Sequence, residues 1–466
     1  MAAARLIWPP HPYRAGFCVT DDTDAATLEK VRIVYEFLAS IGLKTSKTVW
    51  VFAPDEPCGI PALPRSIQRG ITLEDRDYLD FCHRLSAKGF EICLHGASAG
   101  NNRRERTTQA LDFMERQFGL PGTYVCHAKN AENPYWHERV APRGPAQWLL
   151  SLALASRYRC SGEDPKSPYF WGDLCLEKVR HIRLFRTRNV NTLAENPSMP
   201  YFDPEKPLVP AWFAATKRSF AECTSPEALE QLEREHGLCV LYQYMHRYAD
   251  LGDGTVQRSL QAGAERLMGA GSIMVDNTSR IMDRLRLIQG VWFVRRGNEL
   301  WLVNANDRDV VEIQLVVSAP ASVSSPDQEL VQSGETVRIP RLPANRVLAL
   351  RADRALKPVG AHSILLDGQG HGSARFAFGS VFVNVAESPW RSPGGIELGP
   401  RSCVAIFNHD AARHRPWSRA SHAELYRLLL GQTAIVAREI LYKGRPIDSK
   451  KFLGSEEIPL EDHANW

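Results

Sequence analysis

Ala15-Gly16-Phe17-Cys18-Val19-Thr20-Asp21-Asp22 is a short apolar run that ends in two carboxylates. It lacks the alternation of a half-exposed strand and fits one buried on both faces, as in a parallel sheet. The residues that follow change period. Leu28, Val31, Tyr35 and Leu38 fall on one helical face, and Gly42 is placed to stop that helix. The strand-helix unit then recurs. Val49 to Phe52 reads as a strand, and Glu74 to Lys88 as a helix carrying Tyr78, Leu79, Cys82 and Leu85 before Gly89. Phe90 to Leu94 is strand-like, Arg104 to Phe118 helical up to Gly119, and Thr123 to Cys126 a further strand. Ser225 as N-cap and Pro226 in the first turn open a helix that ends at Gly237, followed by the strand Leu238 to Tyr242. A helix over Val256 to Met268 and a strand over Ser272 to Val275 complete the series.

Repeated units of this kind call for a parallel sheet. Six or seven of them within residues 1–290 predict a parallel β/α barrel, distorted or incomplete. A doubly wound open sheet is the alternative, but no G-x-G-x-x-G follows a strand, so its nucleotide-binding form lacks support. Two long Pro-rich connections, 54–70 and 196–210, with Tyr201 and Trp212 nearby, read as a rim over a pocket. Past residue 290 short strands follow one another. Residues 291–355 predict a β-sandwich, and 356–466 predict further strands of an accessory domain, one helix around 423–441 and a polar tail. The fold class expected is therefore α/β plus β.

Composition narrows the function. Lys plus Arg is 57 and Asp plus Glu is 53 in 466 residues, a net charge of +4 that gives no footprint for nucleic acid or membrane. No stretch reaches the ~20 apolar residues of a membrane span. The apolar start before Pro9-Pro10 is too short for a signal peptide. Ten cysteines form no C-x-x-C pair, and Cys18, Cys93, Cys126 and Cys239 lie in apolar runs, the pattern of reduced core cysteines in a cytoplasmic protein.

The chemistry-bearing residues share a position. Asp21 and Asp22, His95, His127 and His246 each sit just after an apolar strand. In a β/α barrel those strand ends open on one face, so groups distant in sequence should converge. Singly, each has an ordinary explanation: an aspartate caps a helix, a role open to Thr23 or Asp24 here, and a buried histidine is a satisfied core residue. Together, an aspartate and two histidines make a divalent-metal triad with positions left for water. A second aspartate beside it suits a base, and a histidine across the rim suits an acid.

This ordered set resembles the NodB-type polysaccharide deacetylases and their YdjC-type relatives over about residues 12–290. The resemblance implies a metal-dependent hydrolase that removes an N-acyl group from an amino sugar. It implies Asp21 as base, Asp22, His95 and His127 as ligands of a divalent ion, zinc first among candidates, and His246 as the catalytic acid. Leu94-His95 is similar to the start of the second motif, but the histidine expected four residues on is Ala99, within Gly96-Ala97-Ser98-Ala99-Gly100-Asn101-Asn102. His127, after the next strand, suits the vacant role, as in the YdjC-type enzymes. Asn130 and Asn133 are placed to hold sugar hydroxyls, and Arg186, with Arg188, to meet an anionic sugar or phosphate; loop structure and surface charge explain them equally well. The partner expected is a carbohydrate, and the setting a cytoplasmic step of surface-polysaccharide or lipopolysaccharide synthesis. Two rivals remain. A glycoside hydrolase needs carboxylates on both sides of a bond, for which Glu91 or Asp173 would have to join the aspartate pair. A non-catalytic carbohydrate-binding protein is favoured by the altered second motif and opposed by the retained base.

Overall fold

The structure is a computed structural model that describes residues 2–58, 70–127, 130–135, 160–201, 206–296, 299–318, 321–359, 363–376, 379–392 and 395–407. Among these, one compact unit spans residues 16–281 and a second joins residues 2–15 to 282–407. The expected helix at 423–441 and the polar tail lie outside the described residues.

The first strand, β1 (Ala2–Ile7), belongs to the second unit, where it pairs antiparallel with Val310–Ser318. The first unit is a closed parallel barrel. Its strands are β2 (Ala15–Asp21), β3 (Ser46–Val49), β4 (Glu91–Leu94), β5 (Thr123–Val125), β6 (His181–Thr187), β7 (Trp212–Thr216) and β8 (Leu238–Gln243). They pair in chain order, and β8 closes the ring on β2 through Gly16↔Leu238 to Asp21↔Gln243. An eighth strand, β9 (Ile273–Val275), joins the edge of β2. Every residue of β2 is buried, as its unbroken apolar run requires.

Helices form where the 3.6-residue period placed them. Helix α1 (Leu28–Ser40) is capped by the Thr27 side chain and buries Val31, Val34, Tyr35 and Leu38. Helix α2 (Arg76–Ala87) is capped by Asp75 and buries Tyr78, Phe81, Cys82 and Leu85. Gly42 and Gly89 leave these two helices at positive φ, where any Cβ is strained. Helix α3 runs from Arg104 to Phe118. Asp24, a candidate cap by sequence, is not the N-cap of α1, and this frees its carboxylate.

The second unit has three β layers. One sheet orders Val331–Ser333, Thr336–Leu342, Val310–Ser318, β1 and Leu356–Pro358; the next orders Val323–Ser324, Val347–Ala352, Glu299–Asn304, Val291–Arg296 and Ser363–Leu365. Phe293 and Leu302 face the core they share with Ile313, Leu315 and Ile339. Trp292 and Val294 face the other way, onto Val381, Val383 and Cys403 of a third sheet. This period-two split explains why Val291, Trp292, Phe293 and Val294, and Leu300, Trp301, Leu302 and Val303, are apolar on both faces. Trp292 and Trp301 pack in that second core.

All ten cysteines are buried and joined in no disulfide. No helix among the described residues is long and apolar enough to cross a membrane.

Candidate metal centre

Asp21 and Asp22 stand where β2 ends, and the alternation of a strand sends them apart. Asp21 turns toward the helix layer. Its Oδ2 accepts from Tyr35 on α1 (2.7 Å) and pairs with Lys47 Nζ (2.9 Å), while its Oδ1 accepts from the Met245 backbone N–H (2.8 Å). Both side chains of the ion pair are wholly buried. Burial raises the Asp21 carboxyl above its ordinary value, against the pull of Lys47. Asp22 turns inward. Its Oδ1 lies 3.3 Å from His95 Nε2 and accepts from the Asp24 N–H (2.9 Å), and the Tyr242 hydroxyl donates to its Oδ2.

Three side chains at the strand ends converge: Asp24, His95 and His127, all buried, with one ligand atom of each within 4.8 Å of the others. His95 Nε2 is 3.3 Å from Asp24 Oδ1, and His127 Nε2 is 3.7 Å from Asp24 Oδ2. The other ring nitrogens fix the tautomers. His95 Nδ1 lies 2.6 Å from the Val125 carbonyl, which only accepts, so this nitrogen carries the hydrogen. His127 Nδ1 lies 2.7 Å from Asn130 Oδ1, and the Asn130 amide donates to Ser98 O (3.2 Å) and Glu132 Oε1 (2.8 Å). That amide orientation leaves Oδ1 as acceptor and the hydrogen on His127 Nδ1. Both Nε2 atoms therefore aim a lone pair, or a readily lost proton, at the Asp24 oxygens.

Such an arrangement calls for a cation. His95 Nε2 and Asp24 Oδ1 are buried without a hydrogen-bond partner. Burial works against the charge on both groups. Yet the histidines hold Asp24 down to about 2, and Asp22 and Asp24 raise His95 above its ordinary value. Burial lowers His127. One carboxylate and two imidazoles form a donor set suited to a divalent first-row ion, and hydrogen-bonded outer nitrogens are the usual support for histidine ligands. Trp50 roofs the cluster, stacked near His95 at 6.1 Å and edge-on to His127 at 5.9 Å between ring centroids.

The remaining residues singled out in the sequence fall as follows. His246 is buried in a 3₁₀ turn (Met245–Tyr248), where burial, Lys47 and Arg247 depress it to about 3. Asn130 positions His127, and the Asn133 amide donates to the His127 carbonyl, while Asn133 Oδ1 is buried without a hydrogen-bond partner. Arg186 is buried 5.4 Å from the centroid of the Tyr242 ring. Glu91 sits at the opposite end of β4 from His95 and accepts from Ser279 N–H, and Asp173 pairs with Arg104 (2.7 Å) on the surface. Neither supplies the second carboxylate that glycoside cleavage needs. Asp24, Glu132, Asn102 and Arg183 were not singled out by sequence. The signal for Asp24 was present: Asp-Asp-Thr-Asp places carboxylates at i and i+2 after a strand end. Glu132 accepts from Asn102 Nδ2 (2.7 Å) and Asn102 N–H (3.0 Å), which ties the Ala99 loop to the His127 loop.

No family model matches this chain, and neither does any curated protein. Among solved structures it is similar to a Puue allantoinase (TM-score 0.31, 10% identity, 59% of this chain against 93% of that one). It is also similar to a probable polysaccharide deacetylase from Pseudomonas aeruginosa PAO1 (TM-score 0.27, 11% identity, 59% against 94%). Likeness this slight carries no weight, and the barrel stands on its own strand pairings.

Proposed function

We propose that the protein is a metal-dependent amide hydrolase, and that its substrate is an N-acylated amino sugar. The observation that carries the metal dependence is the convergence of Asp24, His95 and His127 with their outer nitrogens already hydrogen-bonded. The amino sugar rests on the resemblance of the strand-ending aspartate pair and the strand-end histidines to the deacetylase motifs.

Asp24, His95 and His127 would hold the ion. A divalent ion there supplies Lewis acidity toward a carbonyl oxygen and toward water, bringing water's pKa to about 7. Asp22 is the carboxylate next to these ligands that is not needed to complete them. The Tyr242 hydroxyl steadies one of its oxygens, and the other faces the cluster. Asp22 takes the proton of the attacking water and returns it to the amine nitrogen as the C–N bond breaks, so one carboxylate serves as base and then acid. This division replaces the roles expected for Asp21, which is bound to Lys47 and Tyr35, and for His246, which is held neutral.

The test is metal content and turnover in three variants. Asp24→Asn and His127→Gln lose stoichiometric metal. Asp22→Asn keeps it and loses on the order of 10²–10⁴ in kcat. Wild-type protein that takes up no divalent ion sinks the proposal. Metal lost from Asp22→Asn but kept by Asp24→Asn would return the ligand role to Asp22.

A further inference from the structure

A second feature among the described residues is a buried guanidinium outside the ion pairs of the site. Arg183 on β6 is 1% exposed, and its guanidinium carbon lies 3.9 Å from the centroid of the Tyr242 ring. Among the described residues no carboxylate lies within ion-pair distance of it. Its Nε and Nη1 are buried without a hydrogen-bond partner. Arg284, in the second unit, shows what this fold does with a guanidinium it buries for structural ends. There the three nitrogens donate to the carbonyls of Trp8 (3.0 Å), Val311 (2.7 Å) and Glu312 (3.1 Å). Arg183 has no such set, and a desolvated charge lacking hydrogen bonds is costly to keep.

The strand is shaped to add a second cation. Residues three apart on a regular strand face opposite sides, yet Arg186 approaches the same Tyr242 ring, at 5.4 Å from its centroid. The register of β6 against β7 slips between Arg183 and Phe185, and this bulge turns Arg186 onto the side of Arg183. Tyr242 links the pair to the metal centre, since its hydroxyl donates to Asp22. Arg183 is also near enough to His95 to oppose its protonation. Two guanidiniums thus stand on one tyrosine beside the place where a substrate would react, with donors of one of them unused.

We infer that Arg183, seconded by Arg186, is the receptor for a permanent oxyanion on the substrate, a carboxylate or a phosphoryl group, bound next to the acyl group to be cleaved. A planar fork of N–H donors over a buried site suits either group. This deepens the proposed hydrolysis and rests on it for the reaction, but the anion site itself can be tested without turnover.

The first experiment is calorimetric titration of the full chain with inorganic phosphate and, separately, with acetate, in EDTA so that no metal contributes. Wild type binds at least one of them saturably. Arg183→Met loses at least tenfold in affinity, and Arg183→Lys, which keeps the charge without the fork, falls between. Phosphate preference identifies a phosphoryl group, acetate preference a carboxylate. Absence of saturable binding by wild type, or equal binding by both variants, overturns the inference. The second experiment compares metal-loaded wild type and Arg183→Lys on N-acetyl amino sugars with and without an acidic substituent. The inference requires KM to rise at least tenfold more for the acidic substrate than for the neutral one. An equal fall in kcat on both substrates would make Arg183 a stabiliser of the reacting oxyanion instead and overturn it. Anion binding with no hydrolysis of any substrate would leave the receptor standing and remove the hydrolase reading.

Discussion

At the residue scale, adjacent aspartates do unrelated work because a strand end sends them to opposite sides of the barrel wall. Asp21 and Lys47 are a buried ion pair completed by Tyr35 and the Met245 N–H. Removing one partner of such a pair leaves the other charged and dry, a loss of about 3–5 kcal/mol. Asp21→Asn should therefore lower the denaturation midpoint by that equivalent while metal stoichiometry stays at the wild-type level, and adding Lys47→Met should recover part of the loss. If Asp21→Asn is as stable as wild type but inactive, Asp21 is the base after all. Asn130 is the reverse case, a residue that acts on the site through His127. It fixes the His127 tautomer and is itself held by Glu132 and Ser98 O. Asn130→Ala should weaken metal affinity by about 10–100-fold, the usual effect of removing such a support. Competition against a chelator reads that change directly, and unaltered affinity would make Asn130 a loop residue only.

At the scale of elements, what the sequence made legible depended on how cleanly each element kept its period. β2, α1, α2, α3, β4 and β8 announce themselves, because their apolar residues are unbroken or spaced for one face. β6 and β7 were missed for opposite reasons. β6 carries His181, Arg183 and Arg186 among its seven residues, which breaks the apolar run expected of a buried strand. β7 follows a Pro-rich stretch, and its five residues, Trp212–Thr216, are too few to show a period. The site was legible in outline, since strand-end position alone picked out His95 and His127. Asp24 is hidden in the sequence because an aspartate just ahead of a helix has capping as its default explanation, whereas in the structure Thr27 takes the cap. The loop around Ala99 supports its neighbour. With no ligand to offer, it turns Ser98 and Asn102 onto Asn130 and Glu132 and so braces the histidine of the neighbouring strand.

At the scale of the whole molecule, two buried groups give stability opposite dependences on pH. Burial raises Glu132 from 4.5 to about 7. The folded chain then binds the extra proton between those values, so this group's contribution is full below 4.5 and is lost as pH rises through about 7. Burial, Lys47 and Arg247 depress His246 from 6.5 to about 3. Here the unfolded chain binds the extra proton, so stability is full above 6.5 and declines as pH falls toward 3. Each slope is at most about 1.4 kcal/mol per pH unit, and between 4.5 and 6.5 the two largely cancel. Substitution should uncover them one at a time. In EDTA, Glu132→Gln should lose stability relative to wild type progressively as pH is lowered from 7 to 4.5, because it lacks the acid-side gain. His246→Asn should do the opposite and gain on wild type as pH falls below 6.5. Denaturant midpoints across that range measure both differences. Parallel curves for wild type and His246→Asn would mean that the imidazole is reached by solvent and protonates in place, which would restore it as a candidate acid.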